Sequence, residues 1–186
     1  MSRCLVIIDR DGVINQDSTE FIKSPAEWLP IAGSLEAIGI LSRAEFDIAV
    51  VTNQSGIGRN LFTPETLEHI HQKMLNAAGV FNGKIGMIAS CPHHPSDGCA
   101  CRKPKTGLMD KVAEYYLCPL EGVPMIGDSL RDIDAAIAVG GRPILVLTGN
   151  GLKTMAVLKD RGCNVESYPD LLGAATALVK ERKNQL

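Results

Sequence analysis

The segment at residues 5–12, LVIIDRDG, decides the fold class. Four apolar residues typical of a buried strand are followed directly by Asp9 and Asp11, and Gly12 lets the backbone turn. Three further apolar runs also end in polar or charged residues, at residues 48–51, 85–89 and 123–126. Ligands of an open parallel α/β sheet bind beyond the carboxyl ends of its strands. The pattern therefore predicts an α/β fold whose strand ends surround one crevice.

Helical patterns alternate with the apolar runs along the chain. Two helix starts carry capping residues: Ser34, and Thr63 followed by a proline, with the second helix running to about Ala78. Ser129 is predicted to cap a further helix that ends at Gly140. The remaining predicted elements are helices at residues 106–116, 153–160 and 170–181 and strands at residues 143–147 and 164–167.

This alternation predicts the architecture. Strands that are separated by helices pair in parallel through right-handed crossovers. We expect a Rossmann-like three-layer α/β/α sandwich with a mostly parallel sheet. The sequence has no internal repeat, low-complexity segment or linker, so residues 1–186 are predicted to form a single domain. Residues 13–33 show no clear period and are too many for an idle connection, which favours a functional loop.

Composition narrows the class of protein. The chain is 45% hydrophobic and 22% charged, which is ordinary for a globular protein. Its formal net charge of −2 gives no electrostatic footprint for nucleic acid or for an anionic membrane, and an aromatic share of 4% disfavours base stacking. The N-terminal apolar run is too short for a signal peptide or a membrane span. We therefore expect a cytoplasmic monomer.

Asp9 and Asp11 are candidates for the chemistry. Phosphoryl transfer through a covalent intermediate needs an ionised carboxylate as nucleophile and a second carboxyl group that carries a proton to the leaving oxygen. A strand end followed by a turn gives one carboxylate access to phosphorus and the other access to the leaving group. The alternative is an ordinary turn, in which Asp and Gly are common.

Three other strand ends supply what such a site needs. Thr52 offers a hydroxyl for phosphoryl oxygens, and Lys103 offers a positive charge, with Lys105 as a nearby competitor. Asp128 is a hard oxygen ligand suited to Mg²⁺. Asp132 is expected either to orient metal-bound water or simply to favour the first turn of its helix. A strand-end threonine and a solvated lysine are the structural alternatives.

A cysteine and histidine cluster lies at residues 91–101. Its five candidate ligands are Cys91, His93, His94, Cys99 and Cys101. Three thiolates and one imidazole make a closed tetrahedral zinc site of the structural kind, and His94 is the less suitable histidine. A reduced loop without metal is the alternative. The other three cysteines are predicted to be small buried side chains rather than parts of a disulfide framework.

The order of these motifs resembles that of the haloacid dehalogenase (HAD) superfamily of phosphatases. The resemblance implies that Asp9 attacks phosphorus to form an aspartyl-phosphate, and that Asp11 protonates the leaving alcohol and then activates water. It implies Mg²⁺ held by the Asp9 carboxylate, the Asp11 backbone carbonyl and Asp128. Thr52 and Lys103 would stabilise the phosphoryl group. Superfamily members with a cap domain carry a large insertion that this chain lacks, so we expect a capless enzyme.

The cysteine loop is similar to that of one branch, which comprises the D-glycero-D-manno-heptose 1,7-bisphosphate 7-phosphatases and the histidinol-phosphate phosphatases. In that branch Cys91, His93, Cys99 and Cys101 would bind Zn²⁺. Asn15 and the motif at residues 52–56 also fit it. Residues 17–20 lack the glycine and aromatic residue often found there, which bears on the contacts to the sugar. The resemblance implies hydrolysis of the C7 phosphate of the heptose bisphosphate, a lipopolysaccharide precursor, with histidinol phosphate as the alternative substrate.

Substrate contacts follow from this branch. We expect the phosphorylated sugar to contact Asp17, Asn53, Gln54, Ser55, Arg102 and Ser129. Arg102 is the candidate for the second phosphate, with Arg59 as a weaker one, whereas Glu20 would serve the amine of histidinol phosphate. A phospho-receiver domain is the alternative from another class, but it must keep its aspartyl-phosphate, and Asp11 would drive turnover. A zinc-organised interaction module would leave the aspartates unexplained.

Overall fold

A computed structural model of the chain describes residues 4–184, and its strands form one parallel sheet. The strands are β1 (Cys4–Ile8), β2 (Phe46–Asn53), β3 (Met87–Cys91), β4 (Pro124–Gly127), β5 (Arg142–Val146) and β6 (Glu166–Tyr168). Their order in the sheet is β3-β2-β1-β4-β5-β6, and every neighbouring pair is parallel. The strand order reverses between β1 and β4, which is the switch point at which doubly wound sheets bind ligands.

Helices cover both faces of the sheet. They are α1 (Ser34–Arg43), α2 (Ser55–Gly58), α3 (Pro64–Val80), α4 (Gly107–Tyr116), α5 (Leu130–Ala138), α6 (Gly151–Asp160) and α7 (Leu171–Asn184). Val6 and Ile8 of β1 pack in one core with α1, α3 and α7. Leu5 and Ile7 point to the other face and pack with α4 and α5. This alternation along β1 gives the predicted three layers, so the fold class is confirmed.

Of the three predicted helix N-caps, two were correct and one was wrong. Thr63 is the N-cap of α3, and its side chain accepts a hydrogen bond from the Thr66 backbone N–H. Ser129 is the N-cap of α5, as predicted. Ser34 was wrongly predicted to be an N-cap: Gly33 holds that position with φ of 81°, a left-handed conformation that glycine adopts readily. The Ser34 hydroxyl instead donates to the Ile14 carbonyl oxygen, 2.6 Å away.

Two strands begin two residues later than predicted. β3 covers Met87–Cys91 rather than residues 85–89 because it pairs with the carboxyl half of the long strand β2, from Ala49 to Asn53. β6 covers Glu166–Tyr168 rather than residues 164–167. The shift in β3 matters for function, because it places Cys91 at the end of a strand, fully buried, instead of in a loop.

The segment between β1 and α1 forms a wall over the strand ends rather than a separate cap. It contains one short 3-10 turn, Pro25–Glu27, and is fixed to the core by Trp28, which is 1% exposed. Lys73 of α3 donates to the backbone carbonyl oxygens of Pro25 and Trp28. Within residues 4–184, no helix has both the length and the apolar character that a membrane crossing requires.

Candidate active site

A polar cavity of about 140 Å³ lies at the carboxyl ends of β1, β2 and β4. It is lined by Asp9, Asp11, Asp17, Ser18, Phe21, Ile22, Thr52, Asn53, Gln54, Ser55, Arg102, Lys103, Asp128, Ser129, Arg131, Asp132 and Asn150. All predicted catalytic and substrate-contacting residues are in this set. A larger cavity of about 760 Å³, near Cys4 and Pro124 at the amino ends of the strands, holds none of the strand-end carboxylates. The smaller cavity is therefore the candidate active site.

Lys103 is the buried cation of this cavity. Its Nζ lies 2.9 Å from an oxygen of Asp9 and 2.6 Å from an oxygen of Asp132, and it donates to the Val51 carbonyl oxygen. Burial alone would lower the pKa of Lys103, but the charges of Asp132 and Asp9 outweigh it and raise that pKa. Lys105 instead donates to the backbone of the cysteine loop. The geometry thus favours Lys103 over its competitor.

Asp9, Asp128 and Asp132 form a cluster of carboxylates around that lysine. One oxygen from each lies within 4.8 Å of the others. Burial and the charge of Asp132 raise the pKa of Asp9 well above its usual value, and burial raises the pKa of Asp128 to about 6. Lys103 and hydrogen bonds from Ser129 outweigh burial at Asp132 and lower its pKa. One ammonium does not balance three carboxylates, so the donor set suits a divalent cation such as Mg²⁺.

Two glycines, Gly12 and Gly149, leave the space that the Asp128 carboxylate occupies. A Cβ atom at Gly12, where φ is 79°, would lie 2.1 Å from Asp128 Oδ2, and one at Gly149 would lie 2.2 Å from it. The same oxygen accepts hydrogen bonds from the backbone N–H and the side-chain amide of Asn150. Gly12 of the first motif is therefore needed for close approach as well as for the turn.

Asp11 is held apart from the other carboxylates. Its oxygens accept hydrogen bonds from the Arg10 guanidinium, from Asn15 at 2.9 Å and from Gln54 at 2.7 Å. Burial would raise its pKa, but the Arg10 charge and these hydrogen bonds together lower it. In this arrangement Asp11 is ionised, which suits a group that takes a proton from water.

The motif at the carboxyl end of β2, residues 52–56, connects the catalytic candidates. The Gln54 amide donates both to Asp11 and to the Thr52 hydroxyl, 2.8 Å away. Asn53 and Lys103 exchange two hydrogen bonds, from the Asn53 amide to the Lys103 carbonyl oxygen and from the Lys103 N–H to the Asn53 side chain. Ser55 begins α2 and is buried. Asn53 thus fixes the backbone of Lys103, a contact that the sequence pattern alone did not reveal.

Two arginines, Arg102 and Arg131, line the same cavity, and Arg59 lies near enough to act on Arg102. Nη1 of Arg102 is buried and has no hydrogen-bond partner among the described residues. Burial and the charges of Arg131 and Arg59 lower the pKa of Arg102. The Arg59 guanidinium lies 5.7 Å from the centre of the Phe21 ring. Sequence reasoning missed Arg131, although its place two residues after Ser129, in the first turn of α5, was a usable signal.

The cysteine loop brings its four predicted ligands together. Sulfur–sulfur distances among Cys91, Cys99 and Cys101 are 3.2–3.7 Å, and His93 Nδ1 lies 3.2 Å from Cys101 Sγ. A tetrahedral zinc ion with bonds of about 2.3 Å to sulfur fits inside such a cluster. His94 is excluded, because it caps the 3-10 turn Pro95–Asp97 through the Ser96 N–H.

The cysteine loop packs against helix α2. The Gly58 N–H donates to the Pro92 carbonyl oxygen at 2.8 Å, and a Cβ at Gly58 would lie 2.5 Å from the backbone nitrogen of His94.

Burial raises the pKa of the Cys91 thiol to about 12, whereas backbone and thiol hydrogen bonds outweigh burial at Cys99 and lower its pKa to about 7. A bound metal ion that prefers thiolates would displace the protons of both thiols.

Comparisons with known proteins agree with this geometry. The chain is 52% identical over 152 residues to the D-glycero-beta-D-manno-heptose-1,7-bisphosphate 7-phosphatase of Bordetella bronchiseptica, covering 82% of this chain and 85% of that protein. It belongs to this phosphatase family of the HAD superfamily. The enzyme of the same name from Pseudomonas aeruginosa is 44% identical over 97% of this chain and 100% of its own length.

A solved structure and two family models also match this chain. The crystal structure of the B. bronchiseptica D,D-heptose 1,7-bisphosphate phosphatase, complexed with magnesium and phosphate, has a TM-score of 0.91 at 47% identity, covering 95% of this chain and 98% of that chain. Residues 100–166 match the HAD-hydrolase-like family model. Residues 5–125 match the model described as polynucleotide kinase 3 phosphatase. The HAD-type phosphatase expected from the motifs is thus confirmed.

Proposed function

We propose that this chain hydrolyses the C7 phosphate of D-glycero-β-D-manno-heptose 1,7-bisphosphate with the help of Mg²⁺. The cavity is lined by two sets of cationic side chains with different partners, and this observation carries the proposal. Lys103 lies among the carboxylates, whereas Arg102 and Arg131 form a cationic group with an unpaired buried guanidinium nitrogen. A bisphosphate supplies one anion for each set. The family relatives are named for this reaction.

Asp9 is the proposed nucleophile. Its carboxylate oxygen would form a bond to phosphorus while the bond between phosphorus and O7 of the sugar breaks, giving an aspartyl-phosphate. Lys103, 2.9 Å from Asp9, would balance charge on the phosphoryl oxygens, and the Thr52 hydroxyl would donate a hydrogen bond to one of them. Bound by Asp9, the Asp11 backbone carbonyl and Asp128, Mg²⁺ would neutralise charge on the transferred group.

Asp11 is the proposed proton carrier. It would give a proton to O7 as the sugar leaves, and then take a proton from the water that attacks phosphorus. The second step releases inorganic phosphate and restores Asp9. The hydrogen bonds that lower the pKa of Asp11 favour the second role, so delivery of the proton to O7 requires that substrate binding change the surroundings of this carboxyl group.

Zinc is proposed for the cysteine loop. Cys91, His93, Cys99 and Cys101 would fill all four positions of a tetrahedral ion, which leaves none for substrate. The loop then carries Arg102 and Lys103 directly after its last ligand. All six cysteines are free, which fits a reducing compartment, so we propose that the enzyme acts in the cytoplasm, as a single-domain monomer.

Histidinol phosphate is the second candidate substrate, and one observation favours it. Glu20, the sequence-based candidate for binding its amine, does not line the cavity, but Asp17 and Phe21 do. An acid and an aromatic ring are suitable partners for an amine and an imidazole. This substrate would leave the Arg102 and Arg131 group without an anion, however, and we rank it second for that reason.

A side-by-side assay tests the proposal. Purified enzyme with Mg²⁺ is given heptose 1,7-bisphosphate or histidinol phosphate, and phosphorus NMR identifies which phosphate is released. We expect kcat/KM for the bisphosphate to be higher by about 10²-fold or more, with heptose 1-phosphate as product, because histidinol phosphate leaves the buried Nη1 of Arg102 and the charge of Arg131 without an anion. Preference for histidinol phosphate, or release of the C1 phosphate, would overturn the assignment.

A further inference from the structure

Arg10 is a buried cation beneath the candidate site that the proposed reaction does not use. Its side chain is 0% exposed, although it stands between the two motif aspartates. Nε and Nη2 of its guanidinium both donate to the Asp11 carboxylate, at distances of 2.9–3.0 Å. Its carbonyl oxygen accepts hydrogen bonds from the backbone of residues 13–15. A buried charge held in this way fixes the geometry of its partner.

The third nitrogen of the guanidinium contacts a histidine from a distant helix. Nη1 of Arg10 lies 3.4 Å from Nε2 of His71, which is on α3 and 5% exposed. Arginine has only donors, so His71 Nε2 must be the acceptor and the ring must be neutral, with its proton on Nδ1. The pKa of His71 agrees with a neutral ring, because burial and the Arg10 charge lower it to about 4.

These contacts form one path from helix α3 to the proton carrier. We propose that His71 is a positioning residue for Asp11: it orients the Arg10 guanidinium, and Arg10 fixes the rotamer of the Asp11 carboxylate. Asn15 and Gln54 hold the same carboxylate from its other sides, at 2.9 and 2.7 Å. Without the His71 acceptor, Nη1 of Arg10 is left buried and unpaired, and the guanidinium must move to find another partner.

Such a movement of the Arg10 guanidinium would affect proton transfer by Asp11 more than it would affect substrate binding. Asp11 meets the leaving oxygen only in the transition state, and a displacement of about 1 Å in a reacting group can cost about 10²-fold in rate. His71 itself is not in the set of residues that line the active-site cavity. The proposal rests on the phosphatase activity of the chain but not on which sugar is the substrate.

The choice of leaving group separates positioning of Asp11 from a general structural effect. The nitrophenolate of p-nitrophenyl phosphate leaves without a proton, whereas the primary alcohol of heptose bisphosphate or histidinol phosphate requires one. We expect His71→Leu to lower kcat/KM for the alkyl phosphate by about 10–100-fold and for p-nitrophenyl phosphate by less than about 3-fold, with KM little changed. His71→Gln keeps an acceptor and should recover most of the loss.

Two controls complete the experiment. His69→Leu changes an exposed histidine on the same helix and should leave both substrates unaffected. Thermal unfolding of each variant shows whether the fold is retained, and the ratio of the two kcat/KM values is independent of the folded fraction. Equal losses on both substrates, no loss in His71→Leu, or no recovery in His71→Gln would overturn the positioning role. The experiment tests the role of His71 in the same way whether heptose bisphosphate or histidinol phosphate is the substrate.

Discussion

Residues 4–184 contain two clusters of metal-type ligands, and these clusters are built in opposite ways. The carboxylates of Asp9, Asp128 and Asp132 come from two strand ends and a helix, and they border a cavity. The ligands at residues 91–101 are close in sequence and surround one point with three sulfurs and a nitrogen. The first cluster has room for substrate, and the second has none. The same fold thus holds one cluster that opens onto a cavity and one that is closed within a loop.

The largest expected effect belongs to the open cluster. Asp9→Asn should lower turnover by about 10⁴-fold or more, because an amide is neither a nucleophile nor an anionic ligand. Steady-state assays with heptose bisphosphate measure the loss. Asp160→Asn, an exposed carboxylate on α6, is the matched control and should keep full activity. An Asp9→Asn variant with activity near that of the wild type would remove the distinction between the two clusters.

The closed cluster should act through the loop rather than through the reaction itself. Elemental analysis should find about one tightly bound Zn²⁺ per chain, and Cys99→Ser should lose it. Because metal binding contributes to folding free energy, we expect Tm to fall by about 10 °C and kcat/KM to fall by about 10–100-fold. Cys118→Ser, outside the cluster, is the control. Full stability and activity without zinc would contradict a structural role.

Arg102 links the two clusters, since it directly follows Cys101, the last ligand of the proposed zinc site, and lines the cavity. Arg102→Ala should lower kcat/KM for the bisphosphate by roughly 10–100-fold, the loss of one charge-assisted contact of about 1.5–3 kcal/mol. The loss on a monophosphate should be much smaller. Arg131→Ala should show the same selectivity, and the exposed Arg161→Ala should not. Equal losses on both substrates would assign Arg102 to the transferred phosphoryl group instead.

The smallest effect concerns pH. Burial raises the pKa of Asp128 to about 6, above the value of about 3.9 for an unfolded chain. A raised carboxyl pKa stabilises the fold below the unfolded value, and this contribution is lost as pH rises through about 6. Because Mg²⁺ binds the ionised form, the rise in Tm on adding Mg²⁺ should be larger at about pH 8 than at about pH 5, by roughly 2–4 °C. In Asp128→Asn this difference should disappear.

The sequence predicted the parts of the fold that depend on local patterns. The burial of β1 on both faces, the Thr63 cap and the order of strands and helices all follow from short-range signals. The start of β3 was wrong by two residues because pairing with the long strand β2 decides it. The N-cap of α1 was also wrong, since the left-handed conformation of Gly33 and the tertiary contact of Ser34 override the local preference for serine.

The candidate site shows the same limit. Motifs identified every carboxylate, the threonine, the lysine and the four cysteine-loop ligands that the structure brings together. They did not reveal contacts between segments that are distant in sequence. The Asn53 bridge to Lys103, the Arg131 charge beside Arg102 and the His71 contact with Arg10 each join residues at least 29 positions apart. Such contacts are set by how helices pack on the sheet, which no single motif encodes.

The most direct test of the account is to trap the covalent intermediate. Asp11→Asn protein, mixed with heptose bisphosphate labelled at the C7 phosphate and quenched in acid, is digested and its labelled peptide is sequenced. If Asp9 forms an aspartyl-phosphate, we expect close to one phosphate per active site, attached to Asp9, and no label in Asp9→Asn protein. Release of phosphate without labelled protein, or a label on any other residue, would contradict it.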